Sequence, residues 1–262
     1  MGERYAVIGQ PVAHSKSPWI HAQFARATRQ DIDYGLIEAS LGGFERAAEE
    51  FRAAGGKGLN VTLPFKEDAF RYCKALSPRA RLAQAVNTIT FGERIAGDNT
   101  DGVGLVRDLV NRGITPAGSR VLLMGAGGAA QGVVGALLEA GVAALTIANR
   151  TETKARELAA RFGVSGSGYE ALEPRFDLVI NATSAGLADE SPALPAGLLG
   201  RAKLAYDMVY GRDTPFLAAA RAAGIASCDG IGMLVEQAAE SFFVWRGVRP
   251  ETASVLRELR GR

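Results

Sequence analysis

The stretch Val121-Leu122-Leu123-Met124-Gly125-Ala126-Gly127-Gly128-Ala129-Ala130 constrains this chain more than any other. An apolar run of strand character breaks into Gly-x-Gly-x-x-Ala and passes into an apolar helical pattern. That context turns a glycine string into a candidate dinucleotide-binding turn, although a plain strand-to-helix turn can also carry glycines. Gly125 permits the tight turn, Gly127 lets the backbone approach a pyrophosphate, and Ala130 allows close helix–strand packing. The free N–H groups from Gly125 through Ala126, Gly127, Gly128 and Ala129, with the positive end of the helix dipole, attract phosphate. The next strand, Ala144-Leu145-Thr146-Ile147-Ala148, ends in Asn149-Arg150-Thr151. About 20 residues after the glycines, an NAD site offers an acid to the ribose 2′-hydroxyl. Asn149 and Arg150 stand there instead, with Lys154 one helical turn on. A cation suits a 2′-phosphate, so NADP is the expected cofactor.

At 262 residues the chain is long enough for one or two domains with a sizeable core. Its net charge of +2 is too small to point to nucleic acid or a membrane surface, so neither partner is expected. There is no signal-peptide pattern and no apolar run long enough to span a bilayer. Cys73 and Cys228 make no disulfide framework, which fits a reducing cytoplasm. Two histidines and two unpatterned cysteines suggest no metal site. With no exposed heptad or long apolar stripe, a monomer is expected ahead of a homodimer.

Short apolar runs alternate with helical patterns along the chain, the signature of an α/β protein with parallel sheets. In the first hundred residues the expected strands are Tyr5–Gly9, Tyr34–Ala39, Gly58–Thr62, Val86–Phe91 and Arg94–Ala96. One helix begins with Ser17 as N-cap and Pro18 at its first position, turning Ile20, Phe24 and Ala27 inward. A second carries Phe44, Ala47, Ala48 and Phe51 and stops at Gly55-Gly56; a weaker third runs from about Phe65 to Leu76. In the second block the expected strands are Val121–Met124, Leu145–Ala148, Leu178–Asn181, Leu204–Val209 and Ile225–Cys228. Helices lie between them, around Ala155–Phe162 and from Thr214-Pro215 to Gly224. Helical patterns also run from Met233 to Trp245 and near Thr252–Leu259, and the helix near Leu105–Asn111 connects the blocks. Two domains follow: residues 1–101 with 230–262, the C-terminal helices returning to the first block, and residues 102–229. An active-site cleft is expected between them.

Five short segments could carry chemistry, and each has a plainer reading. His14-Ser15-Lys16-Ser17-Pro18 is a loop with an N-cap, or else Ser15 and Ser17 bind a carboxylate beside a helix start. In Asn60-Val61-Thr62-Leu63-Pro64-Phe65-Lys66, Lys66 is a solvated surface lysine, or a proton-exchanging group. The helix dipole at its position favours the neutral amine. Asp98-Asn99-Thr100-Asp101-Gly102 is rich in turn formers; alternatively Asp101 is the anion beside Lys66, which favours the ammonium. The residues alone leave that contest open. Asn87 is a structural amide or a hydrogen-bond partner for a substrate hydroxyl. Asn181-Ala182-Thr183-Ser184 follows a strand, at the carboxyl edge where ligands sit in α/β sheets.

Taken in chain order, together with Gly125–Ala130, Asn149–Thr151 and Gly230–Gln237, these segments closely resemble the shikimate dehydrogenase family over nearly the whole chain. The resemblance implies an N-terminal substrate domain, a Rossmann-type NADP domain and reversible NADP-dependent conversion of 3-dehydroshikimate to shikimate, in aromatic amino acid biosynthesis. It implies that Ser15 and Ser17 bind the substrate carboxylate, and that Thr62, Asn87, Asp101 and Gln237 hold the ring hydroxyls. Lys66 is then the catalytic acid/base with Asp101 beside it, and Tyr210 lies near the substrate. Gly125 to Ala129 take the pyrophosphate. Asn149, Arg150, Thr151 and Lys154 take the adenosine ribose phosphate. Thr183, Met208 and Gly230 complete the cofactor contacts, the last two along the nicotinamide. Lys154 stands where the family often has Arg, which loosens the phosphate clamp. An acid at position 149 or 150 would have favoured an NAD-using quinate/shikimate dehydrogenase. Loss of Lys66 or Asp101 would have favoured a regulator that binds NADP and shikimate without turnover.

Overall fold

The computed structural model describes residues 2–173, 175–183 and 194–261, and Ser184 lies outside them. The chain divides into two compact units, Met1–Gly104 with Leu234–Arg262, and Leu105–Met233.

In the first unit the elements are β1 (Glu3–Gly9), α1 (Ser17–Thr28), β2 (Ile32–Glu38), α2 (Phe44–Ala53), β3 (Gly56–Val61), α3 (Lys66–Tyr72), β4 (Ala75–Leu76), α4 (Pro78–Ala83), β5 (Thr88–Phe91) and β6 (Ile95–Asp98). Helix α5 (Asp101–Asn111) begins in this unit and ends in the other. Helix α9 (Ile231–Arg246) does the reverse, and α10 (Ala253–Arg260) closes the chain. The strand order is β2-β1-β3-β5-β6-β4. Strands β1, β2 and β3 are parallel, but β5 runs antiparallel to both β3 and β6. The all-parallel expectation therefore fails here. Only Gly92, Glu93 and Arg94 separate β5 from β6, too short a link for the crossover that a parallel pair requires. One face of β1 carries Ala6 and Ile8 into a core with Phe44, Phe65 and Ile89. On β1 Tyr5 stacks on Trp245 of α9, with ring centroids 4.6 Å apart. Full burial of a side chain such as Phe65 contributes roughly 1.5–3 kcal/mol.

Local expectations fail here at four other points. Ser17 is the first helical residue, not the cap; Lys16 holds the cap position, and the N–H of Ser17 donates to Ser15 Oγ at 3.3 Å. Ala27 is exposed, because the buried stripe of α1 runs through Ser17, Ile20, His21, Phe24 and Ala25. The helix expected from Phe65 to Leu76 stops at Tyr72, and Ala75–Leu76 pairs with β6 instead. Helix α4 was not foreseen, although Ser77-Pro78 signals it: the Ser77 hydroxyl accepts the Ala80 N–H at 3.1 Å.

The second unit contains β7 (Arg120–Met124), α6 (Gly128–Glu139), β8 (Ala144–Ala148), α7 (Glu152–Phe162), β9 (Ser165–Ser167), β10 (Leu178–Asn181), β11 (Leu204–Asp207), α8 (Pro215–Ala222) and β12 (Ser227–Cys228). All its strand pairs are parallel, in the order β12-β11-β10-β7-β8-β9. The chain winds outward from β7 through β8 to β9, then returns to place β10 on the other side of β7, the doubly wound arrangement. Alternate residues of β7 enter two cores. Val121 and Leu123 pack with Val133, Leu137 and Ile147, whereas Leu122 and Met124 pack with Val179, Ala205 and Phe216. A strand buried on both faces has to be apolar, as β7 is from Val121 to Met124 after the exposed Arg120.

Candidate active site

In the first sheet the chain reverses its direction of winding between β1 and β3, and their carboxyl ends form a topological switch point. Ser15 and Ser17 follow β1, and Thr62 and Lys66 follow β3. The antiparallel pairing brings two more segments to this edge. Thr88 at the start of β5 lies opposite Asn60, and Asp98 at the end of β6 lies opposite Thr88. Asn87 and Asp101 flank these positions, so four stretches far apart in sequence converge.

Lys66 Nζ lies 2.6 Å from Asp101 Oδ2. Their side chains are only 13% and 5% exposed, which shields the pair from the screening that weakens surface ion pairs. Asn87 Nδ2 donates to the other carboxylate oxygen of Asp101 at 2.9 Å and approaches Gln237 Oε1 at 3.2 Å. The backbone N–H of Thr100 donates to Asn87 Oδ1 at 2.8 Å, which settles which way the amide faces. Asp101 opens α5 rather than sitting in a free turn, and its N–H is held by Asn99 Oδ1 at 3.1 Å. A carboxylate in a first helical turn is favoured by the dipole.

On the serine side, Tyr34 is half-buried. Burial pushes its phenol well above the usual range, against the pull of a hydrogen bond with Ser17. The protonated phenol donates to Asn60 Oδ1 at 2.7 Å. The Thr62 side chain lies against Gly9, where any Cβ at position 9 would meet its methyl at 2.4 Å. The residues missed in the sequence are Asn60, Tyr34, Thr88, Thr100 and Ser241, whose hydrogen bonds support this cluster. Asn60 and Thr100 lie inside segments already singled out, but Tyr34 and Ser241 carry no local signal.

In the second unit the candidate cofactor residues gather at the carboxyl ends of β7, β8, β10 and β11. Gly125 has φ of +109°, a conformation open to glycine, and a Cβ there would meet the Ala182 carbonyl oxygen at 3.0 Å. Gly127 has an ordinary φ of −85° and nothing within 4 Å of its Cβ position. The protein itself thus imposes no demand for glycine at Gly127, and the open space suits a close-approaching pyrophosphate. Helix α6 begins at Gly128, followed by Ala129; Ala126 is half-buried. Asn149 donates through Nδ2 to the Thr151 carbonyl at 3.0 Å. Arg150 and Lys154 are exposed and, among the described residues, have no ion-pair partner. Thr183 donates to Asn181 Oδ1 at 2.7 Å, and the Met208 N–H donates to the Asn181 carbonyl at 2.9 Å. Gly230 is required for packing, because a Cβ there would sit 2.3 Å from the Met208 carbonyl oxygen. Tyr210 belongs to this second unit and is half-buried; burial raises its phenol. Among the described residues no cluster of His, Cys, Asp and Glu could hold a metal ion, and no helix is long and apolar enough to cross a membrane.

Residues 7–89 match the shikimate dehydrogenase substrate binding domain, residues 108–188 the shikimate / quinate 5-dehydrogenase family and residues 230–260 the shikimate 5′-dehydrogenase C-terminal domain. The chain is 57% identical to shikimate dehydrogenase (NADP(+)) of Chromobacterium violaceum, covering 99% of this chain and 98% of that one. The crystal structure of an Ael1 enzyme from Pseudomonas putida is similar, with a TM-score of 0.92 at 50% identity, covering 98% of each chain. So is that of shikimate 5-dehydrogenase from Thermus thermophilus in complex with NADP(H) and shikimate, with a TM-score of 0.90 at 37% identity and 99% of both chains covered. On motifs, fold and similarity along its length, the chain belongs to the shikimate dehydrogenase family.

Proposed function

We propose that this protein catalyses the reversible, NADP-dependent interconversion of 3-dehydroshikimate and shikimate, with Lys66 as the acid/base. The observation that carries the reading is the Lys66–Asp101 pair, held at 2.6 Å with its carboxylate pinned by Asn87. Bound NADPH would supply the hydride. Lys66 gives a proton to the substrate oxygen in reduction and takes it back in oxidation. Asp101 orients the Lys66 amine, and Asn87, Gln237 and Thr62 hold ring hydroxyls at the same edge. Ser15 and Ser17 take the substrate carboxylate, and Tyr210 lies against the substrate. In the second unit the Gly125–Ala129 turn holds the pyrophosphate, Thr183 contacts the cofactor, and Met208 and Gly230 border the nicotinamide. Arg150 and Lys154, with Asn149 and Thr151, hold the 2′-phosphate, which sets NADP above NAD.

Reduction of NADP followed at 340 nm with shikimate tests the reading. Turnover with NADP far exceeding that with NAD or with quinate is expected. Equal use of NAD would overturn the cofactor assignment, and no turnover with either cofactor would leave only a binding protein.

A further inference from the structure

Ser241 lies fully buried on α9, one turn beyond Gln237. Its hydroxyl sits among four partners. Asn60 Nδ2 donates to it at 2.9 Å, the hydroxyls of Thr88 and Thr100 lie at 2.7 and 3.1 Å, and its one proton is shared between Thr88 and the Gln237 carbonyl, an acceptor at 3.1 Å. Thr88 donates to Asn87 Oδ1 at 2.9 Å, and Thr100 Oγ1 accepts from Asn87 Nδ2 at 2.8 Å. Two hydroxyls therefore grip the Asn87 carboxamide from opposite ends, and both rest on Ser241. Asn87 in turn holds one oxygen of Asp101 and leaves the other for Lys66. In the opposite direction, Asn60 carries the chain of hydrogen bonds to Tyr34 and so to Ser17.

We propose that Ser241 is a positioning residue: it fixes the Asn87 carboxamide through Thr88 and Thr100, and thereby aims Asp101 at Lys66. The physical ground is that a buried polar network orders its members only when every one is satisfied. Without the Ser241 hydroxyl, Thr88 and Thr100 are free to rotate, and Asn60 loses an acceptor. The Asn87 amide then gains alternative geometries, and loosened support of this kind lowers turnover before it lowers affinity. The inference rests on the proposed function of the same site.

The test compares wild type, Ser241→Ala, Thr88→Val, Asn87→Ala and the double variants, with shikimate and NADP as substrates. Ser241→Ala should lower kcat about 10-fold, the scale of losing one well-placed buried hydrogen bond. It should leave the NADP Michaelis constant unchanged. Thr88→Val, which keeps shape and strand preference, should behave alike and decides the matter should Ser241→Ala fail to fold. In an Asn87→Ala background either change should cost less than twofold more, because the residue through which it acts is gone. A Ser241→Ala enzyme with wild-type kcat, or a loss equally large in the Asn87→Ala background, would overturn the proposal. Absence of turnover in the wild type would instead count against the function itself.

Discussion

In the first unit the polar groups at the sheet edge are side chains delivered by β3, β5, α5 and α9, and other side chains hold them in place. In the second unit the corresponding edge offers backbone N–H groups at one glycine turn, with exposed Arg150 and Lys154 beyond it. The first kind of site is assembled at long range: the Asn60–Ser241 hydrogen bond joins residues 181 positions apart. The glycine turn of the second lies within one strand–turn–helix segment. Substrate recognition and proton transfer need groups at defined points, which side chains supply. A pyrophosphate needs a concave array of donors and a favourable dipole, which the backbone already provides. The first site should thus be fragile to single side-chain changes, and the second to changes in backbone freedom and surface charge.

The largest effect expected from this contrast is at Lys66. Lys66→Ala should reduce turnover by roughly 10²–10⁴-fold, the range for a general acid/base, with the NADP dissociation constant almost unchanged. Steady-state kinetics and nucleotide titration check both halves; a third or more of wild-type turnover would remove Lys66 from the acid/base role. Arg150→Ala should do the opposite. It should weaken NADP about 10- to 100-fold, as expected for one charge-assisted hydrogen bond, while NAD binding and the turnover number with saturating cofactor stay close to wild type. Equal loss of NAD and NADP would mean that Arg150 does not read the phosphate.

His21 tests whether the first unit depends on an acid-sensitive interior. The ring is fully buried, stacked on Tyr34 at 4.1 Å and close to Phe24, Phe242 and Trp245. Burial lowers its pKa to about 3 from 6.5, against an opposing contact with Asn60. Between those values the unfolded chain binds a proton that the folded chain refuses, so stability falls as pH falls below 6.5. By pH 5 this single residue should cost about 2 kcal/mol. Urea unfolding at pH 7 and pH 5 should show a smaller difference for His21→Phe than for wild type. An unchanged difference would place the acid sensitivity elsewhere.

The smallest effect on stability is expected at Gly127. Its Cβ position meets nothing, so Gly127→Ala should change stability by less than about 0.5 kcal/mol while weakening NADP. Gly125→Ala should differ in kind. There the positive φ and the Ala182 carbonyl oxygen make a side chain costly, by about 1–3 kcal/mol, with or without nucleotide. If both glycines behaved alike in thermal melts without nucleotide, the distinction between backbone strain and ligand space would be wrong.

Legibility in the sequence followed the range of the interaction. The glycine turn, the Thr214-Pro215 helix start and the apolar β7 could all be read, because backbone freedom, capping and burial on two faces leave marks within a few residues. The Thr214 hydroxyl does accept the Leu217 N–H, at 3.3 Å. Local patterns misled where two structures share one signal. Asp98–Gly102 has the composition of a turn, yet Asp101 starts a helix. Ser17-Pro18 fits a cap, yet the helix begins at Ser17, whose hydroxyl is engaged with Tyr34.

The sequence by itself determined two α/β blocks, a glycine turn between strand and helix and a cation beyond the second strand of that block, and it singled out Lys66 and Asp101, which the fold brings together. Periodicity, glycine and charge are properties of neighbouring residues. Only the tertiary structure decided that the first sheet is mixed, and on that the site depends. Antiparallel pairing brings the start of β5 and the end of β6 to the carboxyl edge of β1 and β3. A parallel β5 would have carried Asn87 to the far edge. The support from Tyr34, Thr88 and Ser241 was equally beyond the sequence, because a buried hydroxyl takes its meaning from partners that strand register and helix packing bring to it.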